Sequence, residues 1–480
     1  MSRARGLALL VLLYAAIVYL IPIPATITPQ GWRQTAIFIC VIAGMVTDPL
    51  PASALVLIGL TAMAANLGAN VAAMTSVLAG FAESSVWLVI VAMLIAKMML
   101  DCGLARRIAL LFVRAVGQTS LGVAYALQMT DVTLASGVPS ITARSAGMVL
   151  PVGRSIAEFF DSRPGPTANR LGTYLIAAMY QGSAVACAMF LTGQASNLLG
   201  ARLARDLAKL EVTWVSWFVA AIVPGLVSCA VVPWIVYRCL KPEVQRTPEA
   251  PLFAAAELKK MGPMDRPEWI TLLVFAGVGI MWITSAWHGL DVTFVALVGL
   301  GVLLATGTMT WQTAASERSA WDVFVWYGGM LRMGQLLNDT GSTRVLAENV
   351  AGMFLGIPWQ IVLVGILIIF FYSHYFFASI TAHLLSMFPP FVAVLIGIGV
   401  PPPLAVYSLL CLANLTAGLT HYGTTTGPIL FGTGYVSRSD WWRAGFYVSI
   451  ANLLIWLTIG YAWWYWLGLT TNPTWPQTLP

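Results

Sequence analysis

Ser140-Ile141-Thr142-Ala143-Arg144 interrupts an apolar run and returns 239 residues later as Ser379-Ile380-Thr381-Ala382-His383. The register extends beyond the motif: Met148 matches Met387 and Pro151 matches Pro390. Upstream, Asp101-Cys102-Gly103-Leu104-Ala105-Arg106 pairs with Asp339-Thr340-Gly341-Ser342-Thr343-Arg344 at an offset of 238. Half of the 480-residue chain is 240 residues. The chain therefore reads as two copies of one unit, each with a polar, cationic motif inside apolar sequence.

Composition sets the solvent. Hydrophobic residues make up 59% and charged residues 9%, against roughly 25% charged in an ordinary soluble domain. Many apolar runs reach the length that crosses a bilayer. An all-α polytopic membrane protein follows, with the lipid bilayer as its main partner. The net charge of +6 lies in short clusters between apolar runs, as topology signals do, which argues against a nucleic-acid partner. The six cysteines are scattered with no CxxC spacing, so neither a disulfide framework nor a metal site is expected. Arg3 and Arg5 ahead of Gly6 to Leu20 resemble a signal peptide, but no small-residue cleavage site follows, and an uncleaved first span is expected.

Apolar runs lie at about 6–25, 34–48, 51–70, 84–104, 172–199, 213–237, 267–288, 291–307, 321–338, 403–430 and 445–468. Two further runs, 120–160 and 358–396, carry the repeated motif at their centres and are read as re-entrant hairpins. Gly137 and Pro139 break the first. The second has no proline at its tip, and its break rests on the internal match. About 11 transmembrane helices plus two hairpins result. The first repeat covers 1–238, a hydrophilic, proline-containing linker 239–266, and the second repeat 267–480.

With the N-terminus cytoplasmic and the C-terminus periplasmic, the layout assigns 17 Arg and Lys inside and five outside, with three in apolar segments. Arg202, Arg205 and Lys209 form the outer exception. Five crossings separate the motif copies, and an odd number inverts one relative to the other. Secondary transporters use such inverted repeats and bind substrate at mid-membrane between broken helices.

Ser140 and Ser379 fall where a helix restarts. A helix N-terminus offers free N–H groups and a positive dipole end to an anion; the bland alternative is a serine that only satisfies backbone at a break. Two such termini would hold a molecule with an anionic group at each end. Arg144 and His383 share one slot, four residues on and so on the serine's face of the helix. Ionisable groups inside a membrane usually line a pathway, although Arg144 could instead snorkel to the interface. Each half also has a later polar break: Thr192-Gly193-Gln194-Ala195-Ser196-Asn197, and His421-Tyr422-Gly423-Thr424-Thr425-Thr426-Gly427-Pro428. Gly193 aligns loosely with Gly423 at an offset of 230. His374 is read as structural. Lys97 and Asp101 form a local i, i+4 pair, and Trp463-Trp464-Tyr465-Trp466 an interface anchor. No GxSxG, HExxH, Walker A or GxGxxG pattern is present, so the chain is not read as an enzyme.

These residues resemble the divalent anion:sodium symporter (DASS) family over nearly the whole chain. The duplicated Ser-x-Thr motif, Thr192 to Asn197, His421 to Pro428, Phe431 to Tyr435 and Trp441-Trp442-Arg443 carry the resemblance. The nearest branch is the bacterial 2-oxoglutarate/malate translocators and citrate/tartrate–succinate antiporters. The resemblance implies that Ser140, Thr142, Ser379 and Thr381 meet substrate carboxylates, aided by Gly193, Asn197, Gly423, Thr424 and Thr425. It also implies a homodimer with an elevator-like moving domain. The family's Ser-Asn-Thr has Ile141 and Ile380 at its centre here, which removes two amide ligands for sodium. In the exchanger branch basic side chains stand in for sodium, the role then expected of Arg144 and His383.

The expectation is a sodium-independent antiporter of dicarboxylates or tricarboxylates such as succinate, malate and 2-oxoglutarate in a bacterial inner membrane, with no cofactor. A dianion crossing alone gains or loses about 2.3 kcal/mol per charge per 100 mV, a term that exchange of one dianion for another cancels. Unpaired cations would also make the empty carrier costly to move. The rivals are a sodium- or proton-coupled symporter, a Ser–His intramembrane hydrolase and a passive anion channel.

Overall fold

The structure, a computed structural model, describes residues 3–341, 354, 356–473 and 475–476. Ser342 to Arg344, part of the upstream repeat match, lie outside the described residues. Among the described residues there is no β-strand; Thr119 and Arg246 form an isolated bridge. The chain is all-helical, as its composition dictates: in lipid a helix satisfies its own backbone.

Two helices occupy the centre. Every residue of Gly172–Met189 is buried, and so is every residue of Pro402–Leu415 except Pro402. Gly172–Met189 has small residues on all sides, including Ala177, Ala178, Gly182, Ala184, Ala186 and Ala188. Such surfaces let neighbouring backbones approach closely. Around the pair pack Trp214–Cys239, Ser120–Ala135, Ile380–Gly397 and Arg438–Ile455. Arg3–Leu20 is equally apolar but only 11% buried, the pattern of a helix that faces lipid.

Among the described residues, eight helices are long and apolar enough to cross a membrane: Arg3–Leu20, Ser84–Asp101, Trp214–Cys239, Arg266–Ile283, Trp359–Phe376, Ile380–Gly397, Pro402–Leu419 and Arg438–Trp466. Two of them, Trp359–Phe376 and Ile380–Gly397, flank the second motif. Ala52–Asn66 and Val292–Ala305 are shorter apolar helices. The runs 172–199 and 403–430, expected as spans with late breaks, are each two helices around an unwound segment. The first unwinds at Phe190–Gln194, and the second between Thr416 and Thr425.

Both hairpins form. In the first, Ser120–Ala135 is capped by the Thr119 hydroxyl and stops at Ser136-Gly137. Pro139 has no N–H to continue it. The chain restarts as a π-helix over Thr142–Val149 and continues as Leu150–Phe159. Pro151 withdraws an N–H donor at that junction, where a helix accommodates the loss by widening. In the second, Trp359–Ser373 ends in a single 3₁₀ turn, His374–Phe376, and Ile380–Gly397 restarts after an extended Ser379. The second tip breaks without a proline.

The linker is not a free tether. Its residues Ala250–Met261 are helical. Ser120 N–H donates to Gln245 O (3.1 Å), Thr247 N–H to Gln118 O (2.9 Å) and Val244 N–H to Arg170 O (2.9 Å). Arg107 grips Glu268 through Nε and a terminal nitrogen, each 2.8 Å from a carboxylate oxygen. Arg106 reaches Glu257 at 2.7 Å. The strap thus holds the base of the first hairpin to the start of the second half.

Candidate functional site

Both hairpin tips and both unwound segments meet at one cavity of about 360 Å³. Pro139, Ser140, Ile141 and Thr142 come from the first tip, and Ser379, Ile380 and Thr381 from the second. Gln194 and Ala195 come from the first break, Thr424 and Thr425 from the second. Met45, Met93, Asp322 and Trp326 close the cavity from other helices.

The two serines do the same job. Ser140 Oγ accepts from Ala143 N–H at 3.2 Å, and Ser379 Oγ from Ala382 N–H at 3.4 Å. The first helical bonds also match, Arg144 N–H to Ser140 O (3.1 Å) and His383 N–H to Ser379 O (3.0 Å). The N–H groups of Ile141, Thr142, Ile380 and Thr381 precede the first intrahelical bond, so a ligand can take them. Thr142 Oγ1 lies 2.7 Å from Thr425 Oγ1 and 3.0 Å from Thr426 Oγ1, joining the first tip to the second break.

Six of the eleven residues singled out in the sequence line this cavity: Ser140, Thr142, Ser379, Thr381, Thr424 and Thr425. Arg144, His383, Gly193, Asn197 and Gly423 do not. Arg144 is fully buried behind the tip, neither snorkelling nor facing the cavity. Its Nε donates to Asp131 at 2.8 Å, one terminal nitrogen donates to Val138 O (2.5 Å) and Gly193 O (2.6 Å), and the other meets Cys187 Sγ at 3.1 Å. The arginine locks tip, first limb and break together, and Asp131 neutralises it. Asp131 lies thirteen residues before Arg144 and escaped the sequence reading. A lone Asp in an apolar run was the available signal. His383 reaches back the same distance: its Nε2 is 3.0 Å from both Phe370 O and Ser373 Oγ.

Gly193 and Gly423 are needed for geometry. A Cβ on Gly193 would lie 2.7 Å from Cys187 O, and one on Gly423 2.8 Å from Ala417 O, in each case the carbonyl six residues back. The loose offset of 230 thus marks two copies of one local fold. Asn197 clips the first break by donating to Cys187 O (2.9 Å) and Phe190 O (3.0 Å). Its Oδ1 accepts from Asn414 at 2.9 Å, tying the two central helices. In the second break, Tyr180 donates to Ala417 O (2.9 Å) and Gln181 to Gly418 O (2.7 Å). Among the described residues, no cluster of His, Cys, Asp and Glu could hold a metal ion.

A family model described as the sodium:sulfate symporter transmembrane region matches residues 3–470. The chain belongs to this family. It is a membrane transporter and not an enzyme, and the family is the one also called DASS. Among its relatives, dicarboxylate transporter 1 of Arabidopsis thaliana chloroplasts is 40% identical over 457 residues, covering 94% of this chain and 81% of that protein. The putative malate transporter YflS of Bacillus subtilis is 37% identical, covering 94% of each. The citrate/succinate antiporter of Escherichia coli is 32% identical, covering 94% and 96%. The YdaH transporter of Alcanivorax borkumensis superposes with a TM-score of 0.56 at 14% identity, over 87% of this chain and 98% of that one. That is a likeness of fold alone.

Proposed function

We propose that this transporter exchanges one di- or tricarboxylate for another across a bacterial inner membrane, without sodium. The observation that carries the reading is the cavity itself. Two helix N-termini and six hydroxyl side chains, from the two tips and the second break, converge with Gln194 of the first break on a space sized for a small acid. Ser140 with Thr142 binds one carboxylate, and Ser379 with Thr381 the other. Thr424 and Thr425 bond to what remains.

Sodium independence is supported by the buried Ile141 and Ile380 in the motif, and by Arg144, which occupies the Val138 and Gly193 carbonyls. Exchange is supported by cancellation of the membrane-potential term and by a relative named citrate/succinate antiporter. The cost of moving an empty carrier with an unpaired Arg144 is no support, because Asp131 pairs it at 2.8 Å. We extend the reading to two inverted repeats, an elevator movement within a homodimer, and a cytoplasmic N-terminus. Cation-coupled symport is the second reading, favoured by the family's description.

The test is uptake of labelled malate into proteoliposomes. Preloading with unlabelled dicarboxylate is expected to accelerate uptake at least tenfold, equally in sodium and potassium. Equal uptake into empty and preloaded vesicles overturns exchange. Strict sodium dependence returns the protein to symport.

A further inference from the structure

The cavity has hydroxyls and helix ends for a dianion but no side-chain cation. Asp322 is the ionisable residue in its lining, and Arg318 stands 3.8 Å from it. Arg144 is already neutralised by Asp131. A bound dianion therefore needs a positive charge from elsewhere.

The structure shows where one can form. At the first break, Arg144 donates to Gly193 O at 2.6 Å. Gly423 is the equivalent glycine of the second break, and its carbonyl lies 2.8 Å from His374 Nε2. The basic group holding the second break is thus His374, not the repeat-aligned His383. Gly423 directly precedes the cavity-lining Thr424 and Thr425.

Both nitrogens of His374 have partners suited to a proton. Nε2 faces a carbonyl, so it carries hydrogen. Nδ1 lies 3.0 Å from Thr416 Oγ1, and that hydroxyl is also 2.7 Å from Ala413 O. When Thr416 turns its hydrogen toward Nδ1, the ring is neutral. When it turns toward Ala413 O, its oxygen accepts from Nδ1–H and the ring is an imidazolium with both N–H groups bonded. The ring gains a proton with no heavy atom displaced.

Around His374, the titratable neighbour is the His383 ring of the restart helix, at 4.7 Å between centroids. Phe377 packs at 6.4 Å. The first limb and the Thr416–Leu419 turn contact it through Thr416 and backbone. No carboxylate among the described residues pairs with it, so the neutralising anion is left to the substrate. We propose that His374 takes up a proton as the dicarboxylate binds, making it the titratable counterpart of Arg144. This rests on the dicarboxylate reading above.

The test is calorimetric titration of the purified full-length protein with malate, which carries both charges at about pH 7.5, in buffers of different ionisation enthalpy. The wild type is expected to take up close to one proton per malate. His374→Gln keeps the bond to Gly423 O but is expected to take up none and to bind at least tenfold more weakly. Thr416→Val is expected to reduce uptake without changing the thermal midpoint of the empty protein, and His383→Gln to retain uptake. Binding by the wild type with no proton uptake, or unchanged uptake in His374→Gln, overturns the proposal and leaves the dicarboxylate reading intact. Failure of the wild type to bind malate, succinate or citrate removes both. Nitrogen-15 spectra of labelled histidine give a second readout: an imidazolium signal that appears with malate and is missing from His374→Gln.

Discussion

At the residue scale, Arg144 changed meaning most between sequence and structure. Its position four residues after Ser140 marked it as a ligand for substrate, yet it sits behind the serine in a closed set of bonds. Removing it leaves Asp131 buried and charged, which costs about 3–5 kcal/mol. Arg144→Ala is therefore expected to lose most of its folded yield and to melt far below the wild type in detergent. Asp131→Asn combined with Arg144→Gln, which leaves no orphan charge, is expected to recover much of that loss. A double variant no better than Arg144→Ala would show that the ion pair is not what makes the arginine necessary. Loss of transport in Arg144→Ala consequently says nothing about sodium coupling. His374 moved the other way, from an apparent core residue to one that holds the second break.

At the element scale, each late break needs a glycine where a Cβ would run into backbone. Gly193→Ala and Gly423→Ala are expected to abolish transport and lower the melting midpoint, because neither Cys187 O nor Ala417 O can move aside cheaply. Gly277→Ala is the control: nothing lies within 4 Å of a Cβ there, and transport is expected to be unchanged. Equal tolerance at all three positions would contradict the close approach. The polar composition of 192–197 and 421–428 revealed that the helices unwind there. The matching six-residue return of the chain was legible only as a loose alignment, because equivalence there lies in backbone geometry and not in residue identity.

At the scale of the whole molecule, the strap at 239–266 joins the halves while it grips the first hairpin's base. Glu257 in that strap has its carboxyl held below the ordinary carboxylate range by the hydrogen bond from Lys260 and the charge of Arg106. A depressed carboxyl contributes stability above its unfolded pKa, and that contribution is lost as pH falls through the folded value. Acidification below about pH 4 is expected to release Ala250–Met261, seen as faster amide exchange there while Gly172–Met189 stays protected. In Glu257→Gln the released state is expected already at neutral pH. Uniform exchange across both helices at low pH would mean that the strap does not open separately.

The sequence by itself determined that the chain is helical and lipid-embedded, that one five-residue pattern recurs after 239 residues, and that Ser140, Thr142, Ser379, Thr381, Thr424 and Thr425, which line one cavity, fall at interruptions of apolar runs. Hydropathy and repetition are local properties, and residue order records them. Only the tertiary structure decided which polar groups face the shared cavity and which are consumed in holding it open. Burial of an ion pair depends on what packs across from it, and Asp131, Val138 and Gly193 come to Arg144 from three separate segments. The same folding brings His374 to Gly423, and no spacing in the chain announces that contact.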